Sequence, residues 1–265
     1  MTARYREIAN ELRQAIEQGT YAPGTTLPTY DDLTRKYGVG SGVIREALAV
    51  LKADGLISVA KKRGITVRER GSRRRVERGS LVTRDPAKGY VFPAASAPDE
   101  PWQVHGRPRR DTVPIPERPA VLLGVDPESP VLRRRRVTSP TGEPPFQLVD
   151  TWIHPDAVAD APKVADAQTG PGGYIDRLEE VGHGPISWVE YMRVRMPTSE
   201  EAKLLEMPDS MPALEVARVG TSAHTKVPVE VTTCVIPADR VELVTRLRRA
   251  KSAHFIAGMM RDIDK

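Results

Sequence analysis

Cysteine is almost absent. Cys234 stands alone among 265 residues, which excludes an intramolecular disulfide and any cysteine-cluster zinc site. No stretch approaches the roughly 18 consecutive apolar residues of a membrane-spanning helix. Met1 to Asn10 carries Arg4, Arg6 and Glu7 where a secretory signal would hold an apolar run. The expectation is a soluble protein, cytoplasmic and nucleoid-associated. The five histidines, at 105, 154, 183, 224 and 254, lack a metal-ligand spacing such as His-x-x-x-His, so neither a metal nor another cofactor is expected. No Gly-x-Ser-x-Gly elbow and no phosphate-binding loop occurs, and no nucleophile–base pair suggests an enzyme.

What is present is enough apolar residue to build a core, 39%, with 28% charged. The length suits one large domain or two ordinary ones. Net charge is +5, and its placement says more than its total. Residues 1–78 hold 16 Lys and Arg against 9 Asp and Glu, whereas residues 79–265 hold 24 against 26. A basic module joined to a near-neutral body suggests a polyanion-binding head and a body with another task.

The head reads as three helices and a hairpin. Tyr5, Ile8, Ala9, Leu12 and Ile16 recur at helical spacing, and Gly19 ends that run. Thr29 opens a second helix, with Asp32 three residues on as an acidic capping-box partner. Gly38 stops it, and Ser41 is expected to cap a third helix with Ile44, Ala47, Leu48 and Leu51 on its buried side. Leu56–Val59 and Ile65–Val67 read as short strands around the basic tip Lys61-Lys62-Arg63. This is a winged helix-turn-helix pattern. Its DNA-contacting candidates are Thr29, Tyr30, Ser41, Gly42 and Arg45 at the helix starts, and Lys61, Lys62 and Arg63 on the wing. Arg45 suits a guanine edge bidentately, and the wing suits phosphates or the minor groove. The domain assignment is 1–70 winged helix, 71–80 basic linker without apolar period, 81–250 body and 251–265 tail. In the body, strands are expected at 131–138, 146–153, 186–196, 213–219 and 227–236. Short helices are expected at 174–181 and 199–206, and a first strand is hidden within 81–120. Cys234 reads as a buried, inert thiol.

Residues 5–68 resemble the winged helix of the GntR family of bacterial transcription regulators. The residues that carry this are Tyr5-Arg-Glu-Ile-Ala9, Leu27-Pro28-Thr29, Tyr37-Gly-Val39, Ile44-Arg45-Glu-Ala-Leu48 and Gly55-Leu-Ile57. Residues 121–245 resemble the effector-binding (UTRA-type) domain of that family's HutC branch, through Leu123-Gly-Val-Asp126, Arg133 to Val137, Pro171-Gly-Gly173, Leu178 to His183, Arg195-Met-Pro-Thr198 and Pro228-Val-Glu230. Where relatives carry Ser-Arg before the recognition helix this chain has Gly40-Ser41, and Asp31 replaces a customary Arg. The resemblance implies an α+β protein: a winged helix-turn-helix domain joined to a C-terminal α/β effector domain of chorismate-lyase-like fold. It implies a homodimeric repressor on a pseudo-palindromic double-stranded DNA operator, released by a small-molecule effector for which an anion is the expected class. It places effector contacts at Arg136, Thr138, Gly172, Gly173 and Glu230. Two alternatives remain at this stage: a lyase-like enzyme on the same fold, and a DNA-binding protein that needs no ligand.

Overall fold

The computed structural model describes residues 4–60, 64–68, 73–79, 82–85, 89–92, 100–245 and 247. The head contains α1 (Arg4–Glu17), α2 (Tyr30–Tyr37) and α3 (Ser41–Ala53), followed by the hairpin β1 (Ile57–Ala60) and β2 (Gly64–Val67). One apolar cluster holds it together: Ile8 and Leu12 of α1, Leu33 of α2, Ile44, Leu48 and Leu51 of α3, and Ile57 and Ile65 of the hairpin. Each such side chain contributes about 1.5–3 kcal/mol by leaving water. Thr29 caps α2 with Asp32 in a reciprocal capping box, and Gly38 closes it at φ +61°. The cap of α3 differs from expectation. Its N-cap is Gly40, with no side-chain bond, and Ser41 is the first helical residue. Glycine tolerates that cap at a cost of a few tenths of a kcal/mol relative to serine.

The chain then forms β3 (Arg74–Arg78), β4 (Thr83–Asp85), β5 (Gly89–Val91), β6 (Trp102–Pro114), α4 (Glu117–Leu123), β7 (Pro130–Pro140), β8 (Gln147–Ile153), α5 (Pro155–Asp160), α6 (Gly173–Leu178), β9 (Ile186–Arg195), α7 (Ser199–Leu204), β10 (Ala213–Ser222), β11 (Pro228–Pro237) and β12 (Val241–Thr245). The core of the body is a six-stranded sheet in the order β6-β7-β8-β11-β10-β9, antiparallel at every step. One face is closed by α4, over Val131, Trp152 and Val231, and by the α7 region, over Val137, Leu148 and Val235. On the other face α5 and α6 cover only one end, through Ile153, Val164, Ile175 and Leu178. The rest of that face holds a cavity.

Two segments depart from the reading of the sequence, and a third, expected without bounds, is located by the structure. The expected linker contains β3, which pairs in parallel with β12. Val76 on it is fully buried, and Arg74 donates to Glu100 and Glu143 at 2.7–2.8 Å. A strand fixed by one valine and by arginines whose partners lie far along the chain shows no apolar period. The hidden first strand is β6, an edge strand exposed along most of its length, so it lacks alternation for the same reason. Helix α6 ends at Leu178 and passes into a π-type turn at Glu179–His183 where Gly182 takes φ +101°. The tail at 251–265 lies outside the described residues.

Candidate functional site

The head presents the start of α3 to solvent. Ser41, Gly42 and Arg45 are all exposed, and the Arg45 guanidinium has no ion-pair or hydrogen-bond partner among the described residues. Burial of Ile44 and Leu48 fixes the helix roll that turns Arg45 outward. Thr29 and Tyr30 are differently employed. The Thr29 hydroxyl donates to Asp32 at 2.6 Å and accepts from the Asp32 N–H, a bond that holds the Asp32 carboxyl below its ordinary pKa. Tyr30 packs against the head's apolar cluster. Lys61, Lys62 and Arg63 lie outside the described residues.

In the body, pairing register assembles the second site. Arg134 aligns with Thr151, Thr232, Arg218 and Glu190 across five strands. Arg136 aligns with Val149, Cys234 and Val216. Alternation places these rows on the open face, where they floor a cavity of about 510 Å³. Gly172, Gly173 and Tyr174 form one wall, and Arg78, Tyr90 and Phe92 form another. Gly172 is required as glycine: φ is +82°, and a Cβ would stand 1.7 Å from the Asp176 carboxylate.

Four guanidiniums reach this cavity, and each is held differently. Arg78 donates to Glu190 at 2.9 and 3.1 Å. Arg218 stacks on the Phe92 ring 3.3 Å from its centroid and lies 3.8 Å from Glu230. Burial opposes the Arg218 charge, but Glu230 and Tyr174 more than offset it and hold its pKa above the ordinary value. Arg134 donates to the carbonyl oxygens of Val164 and Asp166 at 2.6 and 2.9 Å, and burial together with nearby Arg110 draws its pKa down. Arg136 is exposed at the cavity, without a hydrogen-bonding partner among the described residues. A guanidinium so placed can form charge-assisted hydrogen bonds to an anion.

Of the expected effector residues, Arg136, Gly172 and Gly173 line the cavity and the other two do not. Thr138 is buried and accepts from Gln147, which does line it. Glu230 is fully buried beneath the floor, accepting from Thr232 at 2.7 Å and from Tyr174 at 3.3 Å. It orients Tyr174, whose phenol burial and Glu230 push up to about 12, so the tyrosine stays a neutral donor. Arg78, Tyr90, Phe92, Arg134, Glu190 and Arg218 were not among the expected residues. Arg134 alone carried a signal, sharing a strand face with Arg136 at a spacing of two. Cys234 is half-buried on the cavity floor rather than enclosed, and burial raises its thiol pKa. Among the described residues no cluster of His, Cys, Asp and Glu could hold a metal ion, and no helix is long and apolar enough to cross a membrane.

Comparison with known proteins places these two sites in a family. Residues 4–67 match the model of bacterial regulatory proteins of the gntR family. Residues 109–242, half of the chain, match the UTRA domain. An HTH-type transcriptional regulator of Streptomyces coelicolor is 24% identical over 77% of this chain and 78% of its own. The mannosyl-D-glycerate transport/metabolism system repressor of Escherichia coli is 34% identical over 24% of this chain and 27% of its own. A crystal structure of a GntR-family transcriptional regulator superposes with a TM-score of 0.54 at 26% identity, covering 93% of this chain and 98% of that one.

Proposed function

This chain belongs to the GntR family of bacterial transcription regulators with a UTRA effector-binding body, and on that premise we propose that it is a dimeric repressor released from its operator by an anionic small molecule. It is a regulator and not an enzyme. The observation that carries the ligand reading is Arg136, a guanidinium without a partner among the described residues, beside a 510 Å³ cavity shared with three more arginines. Arg45 reads the base edge and the wing residues Lys61, Lys62 and Arg63 meet backbone phosphates. The name of the Escherichia coli relative supports repression.

A single winged helix buries too little surface for strong specific binding, so two copies meet a two-fold operator. The edge strand β9 supports dimerisation through the body. Val189, Val194 and Met196 beside it are 56%, 66% and 53% exposed on a strand whose outer backbone edge is unpaired among the described residues. Free apolar edges are templates for a second strand.

The test is anisotropy of a labelled operator, selected by the protein from random duplexes, with and without deproteinised extract of the source cells. The extract should release wild type. Arg136→Ala should bind operator as wild type does without extract and should no longer be released. Release of the variant at the wild-type dose removes Arg136 from the site, and failure of the extract to release wild type removes the ligand reading.

A further inference from the structure

The strand leaving the winged helix is itself part of the cavity. On β3, Val76 is fully buried against the body, and Arg74 and Arg78 on either side of it share its face. Arg78 extends to the cavity and its Glu190 partner on β9 lines the same space. Further along the connector, β5 brings Tyr90 and Phe92 to the rim. Gly89 at its start sits so close to the α6 loop that a Cβ there would lie 2.2 Å from the Gly172 carbonyl oxygen. The connector between head and body is therefore a wall of the site.

The charges are not balanced. Arg78 has Glu190 and Arg218 has Glu230. Arg134 bonds only to carbonyl oxygens, and Arg136 has no partner among the described residues. Among the described residues, two positive charges thus face the cavity without a carboxylate partner. Beside them Tyr90, Phe92, Val149 and Val216 give an apolar wall.

We infer that Arg78 is a ligand-binding residue and that its ligand is a dianion with an apolar or aromatic flank, which draws Arg78 away from Glu190. The inference rests on the reading of the cavity as the effector site and names the connector residue through which the effector acts. Arg136 supplies a planar fork for the anion, and Arg78 adds a charge-assisted donor from the opposite wall. Arg78 lies on the strand that follows Arg68 at the end of the head, so a ligand that moves it acts directly on the tether of the DNA-binding domain. A ligand shifts that arrangement by as much as it prefers one state over the other.

The full chain is titrated with phenyl phosphate, phthalate and benzoate at about pH 8, where a phosphomonoester with a second pKa near 6 is doubly charged. Tryptophan emission reports binding, since the Trp188 ring lies 5.1 Å from both Tyr90 and Phe92. Phenyl phosphate and phthalate should bind at least about tenfold tighter than benzoate, and Arg78→Gln should weaken both by about tenfold. Glu190→Gln should tighten both, because it removes the carboxylate that competes with the ligand for Arg78. Opposite signs from the two halves of one ion pair do not arise from misfolding, which weakens binding in either variant. Arg107→Gln, exposed on β6, should leave affinity unchanged. Equal affinity in wild type and Arg78→Gln, with loss in Arg136→Gln, overturns the role of Arg78 and leaves the effector site standing. Benzoate binding as tightly as the dianions overturns the ligand class. If none of the three binds, the inference falls, while release by extract still decides the effector reading.

Discussion

Arg45 in the head and Arg135 in the body are the same side chain in opposite employment. Arg45 stands exposed on α3 with no partner among the described residues. Arg135 donates twice to Asp150 at 2.7 Å, with both side chains nearly out of water at 12% and 11% exposure. The contrast runs through both regions. The body uses arginine as a staple: Arg133 to Asp111, Arg195 to Glu201 and Glu215, Arg74 to Glu100 and Glu143. The head leaves the arginine of α3 exposed and without a partner among the described residues. A near-neutral total in residues 79–265 thus hides dense internal pairing, and an arginine that lines the cavity without a partner among the described residues stands out against it. Arg136 is such a residue.

The largest effect that sharpens this contrast is expected at the staple. Arg135→Ala leaves Asp150 buried without its counter-ion and should destabilise the body by about 3–5 kcal/mol. Urea unfolding followed by circular dichroism would measure it. A loss under 1 kcal/mol would mean that water reaches the pair. Acid should act on the same staples together. Burial raises the Glu215 and Glu201 pKa values, but Arg193 and Arg195 outweigh it at Glu215, and Arg195 and Thr198 at Glu201, so both carboxyls sit below their ordinary value when folded. Their contribution is complete above the unfolded carboxylate pKa of about 4.3 and is lost as pH falls through the lower folded values. A melting temperature unchanged across that window would contradict it.

The head should respond through binding instead. Arg45→Ala should leave the urea midpoint in place and cost about 1–3 kcal/mol in operator affinity, relaxing preference at one base pair per half-site. Equal losses on operator and random duplex would move Arg45 from base edge to phosphate.

The two regions also differed in how far the sequence disclosed them. The head was legible because its contacts are local: Ile44, Ala47, Leu48 and Leu51 repeat with the helix, and Thr29 and Asp32 form their box within one turn. The cavity draws on β3, β5, β7, β10 and β11. No periodicity brings Arg78 to Glu190 or Arg218 to Phe92, because strand order sets those neighbours. Of the residues the resemblance named, Arg136, Gly172 and Gly173 line the cavity, and the Glu230 carboxylate is buried and accepts from Tyr174. The supposed linker was misread because one buried residue, Val76, carries all its apolar signal.

The smallest effect belongs to two neighbours on that misread strand. Arg74 is 13% exposed, joined to two glutamates and placed near the Phe146 ring. Arg75 points the other way, 79% exposed, with a single bond to Glu242 at 2.7 Å. The second pair is as short as the first, so geometry alone would rank them equal. Solvent separates them. An exposed pair loses nearly as much in side-chain freedom and hydration as it gains by attraction, and contributes about 0–1 kcal/mol. Arg75→Ala should therefore shift the urea midpoint by less than measurement error, and moderate salt should not enlarge the shift. Arg74→Ala should lower the midpoint clearly, since it leaves Glu100 and Glu143 facing each other without a cation. If both variants unfold alike, β3 is held by its pairing with β12 and by Val76, and the arginine staples of the connector are dispensable.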